Sequence, residues 1–373
     1  MSTDYSREAD FARDAVRAGA HLAQQIQRGR TTTSVKDGGR PGGAADQDGG
    51  PPARASAADE GRRAGRSPKL ALAAELKPDL SPVTVADYAV QALIAARLSE
   101  AYPEDRLVAE EGAQTLRLPE QRGMLTAVRS WLEPLRGPLS EDQVLDWIDR
   151  GGSQPGPRFW TLDPVDGTKG FLRGEQYAVA LALIERGEVR LGALACPNLS
   201  VDGSPETPGG GSLALAIRGE GAWVEPLGGG TRSRLEVSRQ DQPSEAGVLR
   251  SVESGHTDPE AMRALLEILG ISRPPALMDS QAKYLALAAG AGDLIFRLVS
   301  PDRPDYREWI WDQAAGALLV SEAGGQVSDL HGAELDFSWG RRLERNRGVL
   351  ASNGRLHPAA LQALRMAGAV LHR

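Results

Sequence analysis

The sequence is poor in the residues that build disulfide frameworks, sulfur-rich metal clusters and membrane spans. Its 373 residues include one cysteine, Cys196, and five histidines, which excludes an intrachain disulfide and a cysteine-rich zinc site. No run of 18 apolar residues occurs, so no transmembrane helix is predicted. The first 30 residues lack the apolar segment of a signal peptide. We therefore expect a cytoplasmic protein with no membrane partner.

An excess of basic charge is also absent. The formal net charge is −7, which argues against a nucleic-acid polymer as the partner, and no feature indicates an obligate protein partner. Hydrophobic residues make up 41% of the chain, enough for a large core at this length. The composition predicts a globular protein of about two subdomains.

One stretch, residues 37–68, contains no Val, Ile, Leu, Met, Phe, Tyr or Trp and is rich in Gly and Pro. It cannot bury a core face, so a disordered insertion is predicted there. Around it we expect an N-terminal helix of the first subdomain (1–36), a metal-binding α+β subdomain (69–234) and a C-terminal α/β subdomain (235–373). Mixed strands and helices throughout predict an α/β layered fold with an antiparallel component.

Apolar periodicity supplies the individual elements. Helices are predicted at 4–28, through 90–98, in two pieces within 119–150, and at 259–269, 282–289, 311–323 and 358–367. Strands are predicted at 107–109, 159–162, 177–184, 189–195, 213–217, 222–224, 247–252, 294–298 and 348–351.

Acidic residues follow two of these strands directly. Glu110 and Asp163 lie at strand ends, where α/β folds tend to place ligands. Asp166 follows in a Pro-Val-Asp-Gly-Thr turn that can bring both aspartates and the carbonyl of Val165 to one side. With Asp312, these form a set of hard oxygen donors, which suits Mg²⁺ or Mn²⁺ rather than zinc.

Simpler roles remain open for each acidic residue. Asp87 and Asp312 each lie near the start of a predicted helix and can be N-caps. The pair Asp163 and Asp166 can stabilise a turn. Gly167 and Thr168 lie at a predicted helix start, where backbone amides can cap the helix or bind phosphate oxygens. The sequence contains no P-loop, dinucleotide fingerprint, Asp-x-Asp-x-Thr or Gly-x-Ser-x-Gly motif. The catalytic or binding sites that these motifs mark are therefore not predicted.

Three motifs carry a family resemblance. They are Ala109-Glu110-Glu111, Asp163-Pro164-Val165-Asp166-Gly167-Thr168 and Trp311-Asp312-Gln313-Ala314-Ala315-Gly316. In this order they resemble the lithium-sensitive, magnesium-dependent phosphatase superfamily that includes inositol monophosphatase and fructose-1,6-bisphosphatase. The resemblance implies its α/β layered fold, an αβαβα sandwich with mixed sheets between helix pairs. The segments 81–88, 252–256 and 279–284 are more similar to its 3′(2′),5′-bisphosphate nucleotidase branch.

The resemblance implies a reaction centre with two to three Mg²⁺ ions. Asp163 would bridge two ions, and Glu110 and the Val165 carbonyl would complete the first. Asp166 and Asp312 would hold the second. Asp87 and Thr168 resemble the catalytic pair that orients and deprotonates the attacking water.

The resemblance also implies a phosphorylated nucleotide as substrate. Gly167 and Thr168 would contact the phosphate that is cleaved. The remaining substrate contacts implied by the branch are Gly255, His256, Ser280, Lys283 and Arg297. Apart from the resemblance, Lys283 and Arg297 could belong to a solvated face. Arg297, however, lies in an apolar strand, where an unpaired charge is costly.

The expected activity is removal of the 3′-phosphate of adenosine 3′,5′-bisphosphate to give AMP, with 3′-phosphoadenylyl sulfate as a further candidate substrate. An inositol monophosphate or polyphosphate phosphatase of the same superfamily is the alternative. A non-catalytic nucleotide-binding relative is the other class considered. The set Ser280, Lys283 and Arg297 favours a substrate with a second phosphate, because a monophosphate would not need it.

Overall fold

The computed structural model describes residues 4–29, 74–76, 82–205, 210–252 and 258–369. The predicted insertion at 37–68 and the candidate substrate contacts Gly255 and His256 lie outside these residues. Among the helices of the described ranges, none combines the length and apolarity needed to cross a membrane.

The described strands form three sheets. The strands are β1 Ala74–Leu76, β2 Pro82–Thr84, β3 Arg106–Ala109, β4 Arg158–Asp166, β5 Ala178–Glu185, β6 Glu188–Cys196, β7 Ser212–Ile217, β8 Gly221–Pro226, β9 Ser233–Arg234, β10 Val248–Arg250, β11 Ala276–Leu277, β12 Leu294–Arg297, β13 Gln326–Ser328 and β14 Val349–Ser352. A seven-stranded sheet runs β3-β4-β5-β6-β7-β8-β9, and a five-stranded sheet runs β11-β10-β12-β14-β13. Strands β1 and β2 form an antiparallel pair. Both larger sheets are mixed, since β3 pairs parallel with β4 and β10 pairs parallel with β11 and β12.

Helices cover and separate the two large sheets. The helices are α1 Ser6–Gln27, α2 Val85–Ala101, α3 Arg122–Arg136, α4 Glu141–Asp149, α5 Thr168–Arg173, α6 Pro259–Leu269, α7 Ala282–Ala288, α8 Ala314–Glu322 and α9 His357–Met366. Helices α1 and α2 pack on one face of the seven-stranded sheet, and α7 and α8 lie between the two sheets. Helices α6 and α9 cover the far side of the five-stranded sheet. The predicted α/β layered fold, in the order αβαβα, is confirmed.

The layering explains the composition of the central elements. Strand β5 reads Ala-Val-Ala-Leu-Ala-Leu-Ile-Glu, and all but its last residue are buried, because helices lie against both faces of the sheet. Helix α8 is buried at every position from Ala314 to Val320 because it lies between two sheets. The turn from β5 to β6 is two residues long, and Arg186 and Gly187 have φ of 52° and 80°, which matches the right-handed twist of a tight hairpin.

Candidate active site

The centre of the site is an irregularity in strand β4. Asp163 pairs with Ala180 of β5, whereas Asp166 pairs with Ala178, so three steps along β4 match two along β5. In a regular strand, residues three apart point to opposite faces. The extra residue of a β-bulge restores the same side, which brings Asp163 and Asp166 together. Strand β4 thus continues to Asp166, whereas the sequence predicted a strand that ends at residue 162. The turn predicted around Asp166 is instead a β-bulge within the strand.

The end of β4 leads directly into the predicted catalytic pair. Gly167 has φ of 86°, and a Cβ there would lie 3.0 Å from the Cβ of Ser280, so glycine suits both the backbone conformation and the close approach. Thr168 then opens α5. Its hydroxyl lies 3.2 Å from Asp87 Oδ1 and 3.2 Å from the Val165 carbonyl oxygen, so it can donate to either.

Asp87 has two roles at once. Its Oδ2 accepts hydrogen bonds from the backbone N–H and the hydroxyl of Thr84, at 2.8 and 2.6 Å, which forms a capping box at the start of α2. Its Oδ1 faces the Thr168 hydroxyl. The capping role and the predicted pairing with Thr168 therefore coexist on the two oxygens of one fully buried carboxylate.

A pocket of about 180 Å³ opens beside these groups. Among the residues that line it are the predicted metal ligands Glu110, Asp163, Val165, Asp166 and Asp312. The predicted substrate contacts that line it are Gly167, Thr168, Ser280 and Arg297. Residues separated by about two hundred positions in the sequence therefore share one cleft, as the sequence predicted for the carboxylates.

The electrostatics of the pocket favour a cation. Burial raises the pKa of Asp166, against the opposing influence of the Lys283 ammonium. Burial, and then the Asp166 carboxylate, hold the pKa of Asp312 well above its ordinary value. Both carboxylates are therefore costly to ionise, and an added positive charge between them would offset that cost.

The donor chemistry fits a hard divalent ion. Five carboxylate residues line the pocket, four of them predicted metal ligands, together with Val165, and oxygen ligands of this type suit Mg²⁺ or Mn²⁺. Within the described ranges, no three or more His, Cys, Asp or Glu side chains are gathered closely enough to hold a metal ion as they stand. The carboxylates are instead spread around the pocket walls, as mutual repulsion favours.

One wall of the pocket is cationic. Arg297, at the end of β12, places Nη2 2.7 Å from Glu308 Oε2, and Glu308 also accepts from Gln313 Nε2 at 3.0 Å. The Nε of Arg297 is buried with no hydrogen-bond partner. Burial lowers the pKa of Arg297, but Glu308 outweighs it and the pKa stays well above the ordinary value. The side chain is a permanent cation beside the carboxylates, not part of a solvated face.

Lys283 is not on the pocket wall. It is buried, and its Nζ donates to the carbonyls of Met278 and Ser280 at 3.1 and 2.9 Å. The alternative interpretation, in which Lys283 belongs to a solvated face, is therefore wrong. Burial, followed by the charge of Arg297, lowers its pKa to about 8. Its direct contact with substrate stays a prediction, and its position indicates support of the Ser280 loop.

Four further residues line the pocket that sequence reasoning missed, namely Lys169, Ser251, Asp279 and Tyr306. Asp279 is paired with Arg173 and accepts from the Val252 N–H at 3.1 Å. Lys169 directly follows the motif that ends at Thr168, and Asp279 opens the segment 279–284, so position in the sequence was an available signal for both. Tyr306 lies in the loop after β12, and no sequence signal pointed to it.

Comparison with known proteins bears on the family and the fold of this chain. The inositol monophosphatase family profile matches residues 55–369. A 3′(2′),5′-bisphosphate nucleotidase of Emericella nidulans is 42% identical over 317 residues, covering 78% of this chain and 89% of the relative. One of Schizosaccharomyces pombe is 41% identical over 301 residues, covering 76% and 84%.

Solved structures share the fold at lower identity. An IMPase of Thermotoga maritima is 20% identical with a TM-score of 0.60, covering 97% of this chain and 98% of its own. An IMPase/NADP phosphatase complexed with Mg²⁺ and phosphate is 19% identical with a TM-score of 0.53, covering 79% and 86%. The predicted family resemblance is confirmed by the profile and the curated relatives: this chain belongs to the inositol monophosphatase family.

Proposed function

We propose that this protein is a Mg²⁺-dependent phosphatase that hydrolyses the 3′-phosphate of adenosine 3′,5′-bisphosphate to AMP and phosphate. One observation carries the proposal: Glu110, Asp163, Asp166 and Asp312 line one pocket together with the cationic Arg297. Family members are metal-dependent phosphatases, and the relatives of about 40% identity are named for bisphosphate nucleotides.

Each acidic residue has a defined part in the proposed site. Asp163, Glu110 and the Val165 carbonyl would hold one cation, and Asp163, Asp166 and Asp312 would hold a second. Divalent cations, when bound, offset the negative charge of a phosphate ester and lower the pKa of water. The carboxylates alone would repel the substrate, so their function depends on such ions.

In this proposal Asp87 and Thr168 accept the proton that the attacking water loses. The Thr168 hydroxyl can donate to Asp87 and accept a hydrogen bond from the attacking water. As the water oxygen bonds to phosphorus, its proton passes to Thr168 while the hydroxyl proton moves to Asp87. The bond from phosphorus to the ribose oxygen breaks, and that oxygen takes up a proton from solvent.

Arg297 is the proposed partner of the second phosphate. Its side chain lines the pocket, its Nη2 is held by Glu308, and its Nε is buried without a hydrogen-bond partner. A charge-assisted hydrogen bond to an anion contributes about 1.5–3 kcal/mol. A substrate with only one phosphate would not gain this contribution, so Arg297 would select bisphosphates.

The test is phosphate release by the full chain from a substrate panel. The panel contains adenosine 3′,5′-bisphosphate, 3′-phosphoadenylyl sulfate, 3′-AMP and inositol 1-phosphate, each with Mg²⁺ and with a chelator. We expect the highest kcat/KM on adenosine 3′,5′-bisphosphate. In chelator we expect no phosphate release from any substrate. Preference for inositol 1-phosphate would replace the nucleotide assignment, and nucleotide binding without turnover would indicate a non-catalytic relative.

A variant separates the second phosphate from the first. Arg297→Met should raise KM for adenosine 3′,5′-bisphosphate by about 10- to 100-fold and raise KM for 3′-AMP by clearly less, and turnover of 3′-AMP also reports that the variant folds. Arg345→Met removes an arginine from an exposed pair with Asp336 and serves as a control for the loss of an arginine outside the pocket. An equal rise in KM for both substrates would show that Arg297 does not bind the second phosphate.

A further inference from the structure

Gln281 joins three separate parts of the site. It precedes α7 and is only 1% exposed. Its backbone N–H donates to Asp166 Oδ2 at 2.6 Å. Its side-chain Nε2 donates to the Trp311 carbonyl at 2.9 Å, and its Oε1 accepts from the Gly316 N–H at 3.0 Å. Backbone and side chain thus act on different segments of the pocket.

The two side-chain bonds flank Asp312. The Trp311 carbonyl belongs to the peptide unit that leads into Asp312, and Gly316 lies in the first turn of α8. Fixing both points restrains the backbone that carries the Asp312 carboxylate. A Cβ at Gly316 would lie 2.6 Å from the Tyr284 ring, so a glycine there lets α8 approach α7 closely enough for the bond to form.

Glutamine is well suited to this position. The link requires a donor for one backbone carbonyl and an acceptor for one backbone N–H, and a primary amide supplies both without charge. A carboxylate would lose the donor and place a third negative charge beside Asp166 and Asp312. A lysine would lose the acceptor.

The same residue therefore restrains the two carboxylates relative to each other. Asp166 is held at one oxygen, which leaves its other oxygen for a ligand. Asp312 is held through its backbone. Two carboxylates at close range repel, so their spacing depends on such restraints.

We propose that Gln281 is a positioning residue that sets the spacing between Asp166 and Asp312, and with it the affinity and size selectivity of the cation site they share. This inference rests on the proposed function of those two carboxylates. Mg²⁺ demands near-octahedral geometry at about 2.0–2.1 Å, whereas Ca²⁺ accepts variable geometry at about 2.3–2.6 Å. A loosened site should therefore lose more affinity for Mg²⁺ than for Ca²⁺.

The experiment is calorimetric titration of the full chain with Mg²⁺ and, separately, with Ca²⁺. Gln281→Met removes both side-chain bonds at similar volume and keeps the backbone N–H to Asp166. Supporting groups of this kind alter metal affinity by about 10- to 100-fold. We expect a Mg²⁺ Kd raised within that range for one binding event, a smaller change for Ca²⁺, and a reduced selectivity ratio.

A matched control removes a comparable buried amide elsewhere. Asn346 accepts from the Asp336 N–H and donates to the Glu334 carbonyl at 2.8 Å each, and it does not line the pocket. Asn346→Leu should leave both ion affinities at wild-type values. If Gln281→Met does not fold, Gln281→Asn keeps the amide but is one methylene shorter, so it cannot span both partners and should show the same loss in ratio.

The outcomes separate this inference from the function it rests on. A wild-type chain that binds no Mg²⁺ would overturn the proposed function and, with it, the role of Gln281. Wild-type binding together with unchanged affinities and ratio in the folded Gln281 variant would overturn the positioning role alone. Equal loss for Mg²⁺ and Ca²⁺ would also overturn it, because a change in the spacing of Asp166 and Asp312 should weaken binding of the geometrically stricter Mg²⁺ more than binding of Ca²⁺.

Discussion

A buried histidine should make the stability of this protein depend on pH. His357, the first residue of α9, is 1% exposed. Its Nε2 lies 2.9 Å from the Ser328 hydroxyl, and its Nδ1 lies 2.8 Å from the Ser352 hydroxyl. Burial lowers its pKa from 6.5 to about 4. The ring therefore links β13, β14 and α9 as a neutral imidazole.

The sign of the effect follows from the two pKa values. Above about pH 6.5 the ring is neutral in both the folded and the unfolded chain, so its contribution is fully present. As the pH falls below 6.5, the unfolded chain binds a proton that the folded chain does not bind until about pH 4. At pH 5 this lowers the free energy of unfolding by about 2 kcal/mol relative to pH 7.5.

His357→Gln isolates this contribution, because an amide can bond both serines and does not titrate near neutrality. The measurement is urea unfolding of the wild-type and variant proteins at about pH 7.5 and pH 5, with the difference in free energy of unfolding taken at each pH. That difference should shift by about 2 kcal/mol in favour of the variant at the lower pH. Carboxyl groups such as Asp166 titrate in both proteins and cancel. A difference that is the same at both pH values would refute the neutral, buried state of His357.

Three further substitutions test the site and its packing. Asp166→Asn should abolish turnover while keeping a cooperative melting curve, measured by phosphate release and circular dichroism; wild-type rates would contradict the metal role. Thr168→Val keeps the side-chain shape but loses the hydroxyl facing Asp87, so kcat should fall by about 100-fold or more with KM retained. Gly316→Ala places a Cβ 2.6 Å from the Tyr284 ring, which should cost about 1–3 kcal/mol in urea unfolding.

Local signals in the sequence were sufficient to predict an element where its own residues mark both of its ends. The helix predicted at 259–269 matches α6, because Asp258 caps it with bonds to the N–H groups of Glu260 and Ala261 and Gly270 ends it with φ of 71°. The strands predicted at 177–184 and 189–195 are likewise present as β5 and β6, which pair antiparallel across a tight turn.

Local signals failed where tertiary structure determines the backbone. The helix predicted to begin at Trp311 begins at Ala314, and the Trp311 carbonyl instead accepts a hydrogen bond from Gln281. The bulge in β4 is defined by its pairing with β5, which sequence spacing alone does not show. The burial of Lys283 was missed for the same reason, since its partners are the carbonyls of a loop.

The charge distribution of the pocket links metal binding to substrate binding. The acidic residues on its wall outnumber the basic ones, Lys169 and Arg297, and Arg297 is already partly neutralised by Glu308. A phosphate entering this pocket would meet net negative charge, which repels it. The cations that the carboxylates attract would reverse that balance, so each ligand would favour the binding of the other by the same coupling free energy. The excess of carboxylates would thus make phosphate affinity conditional on divalent ions, and Arg297 alone would not replace them.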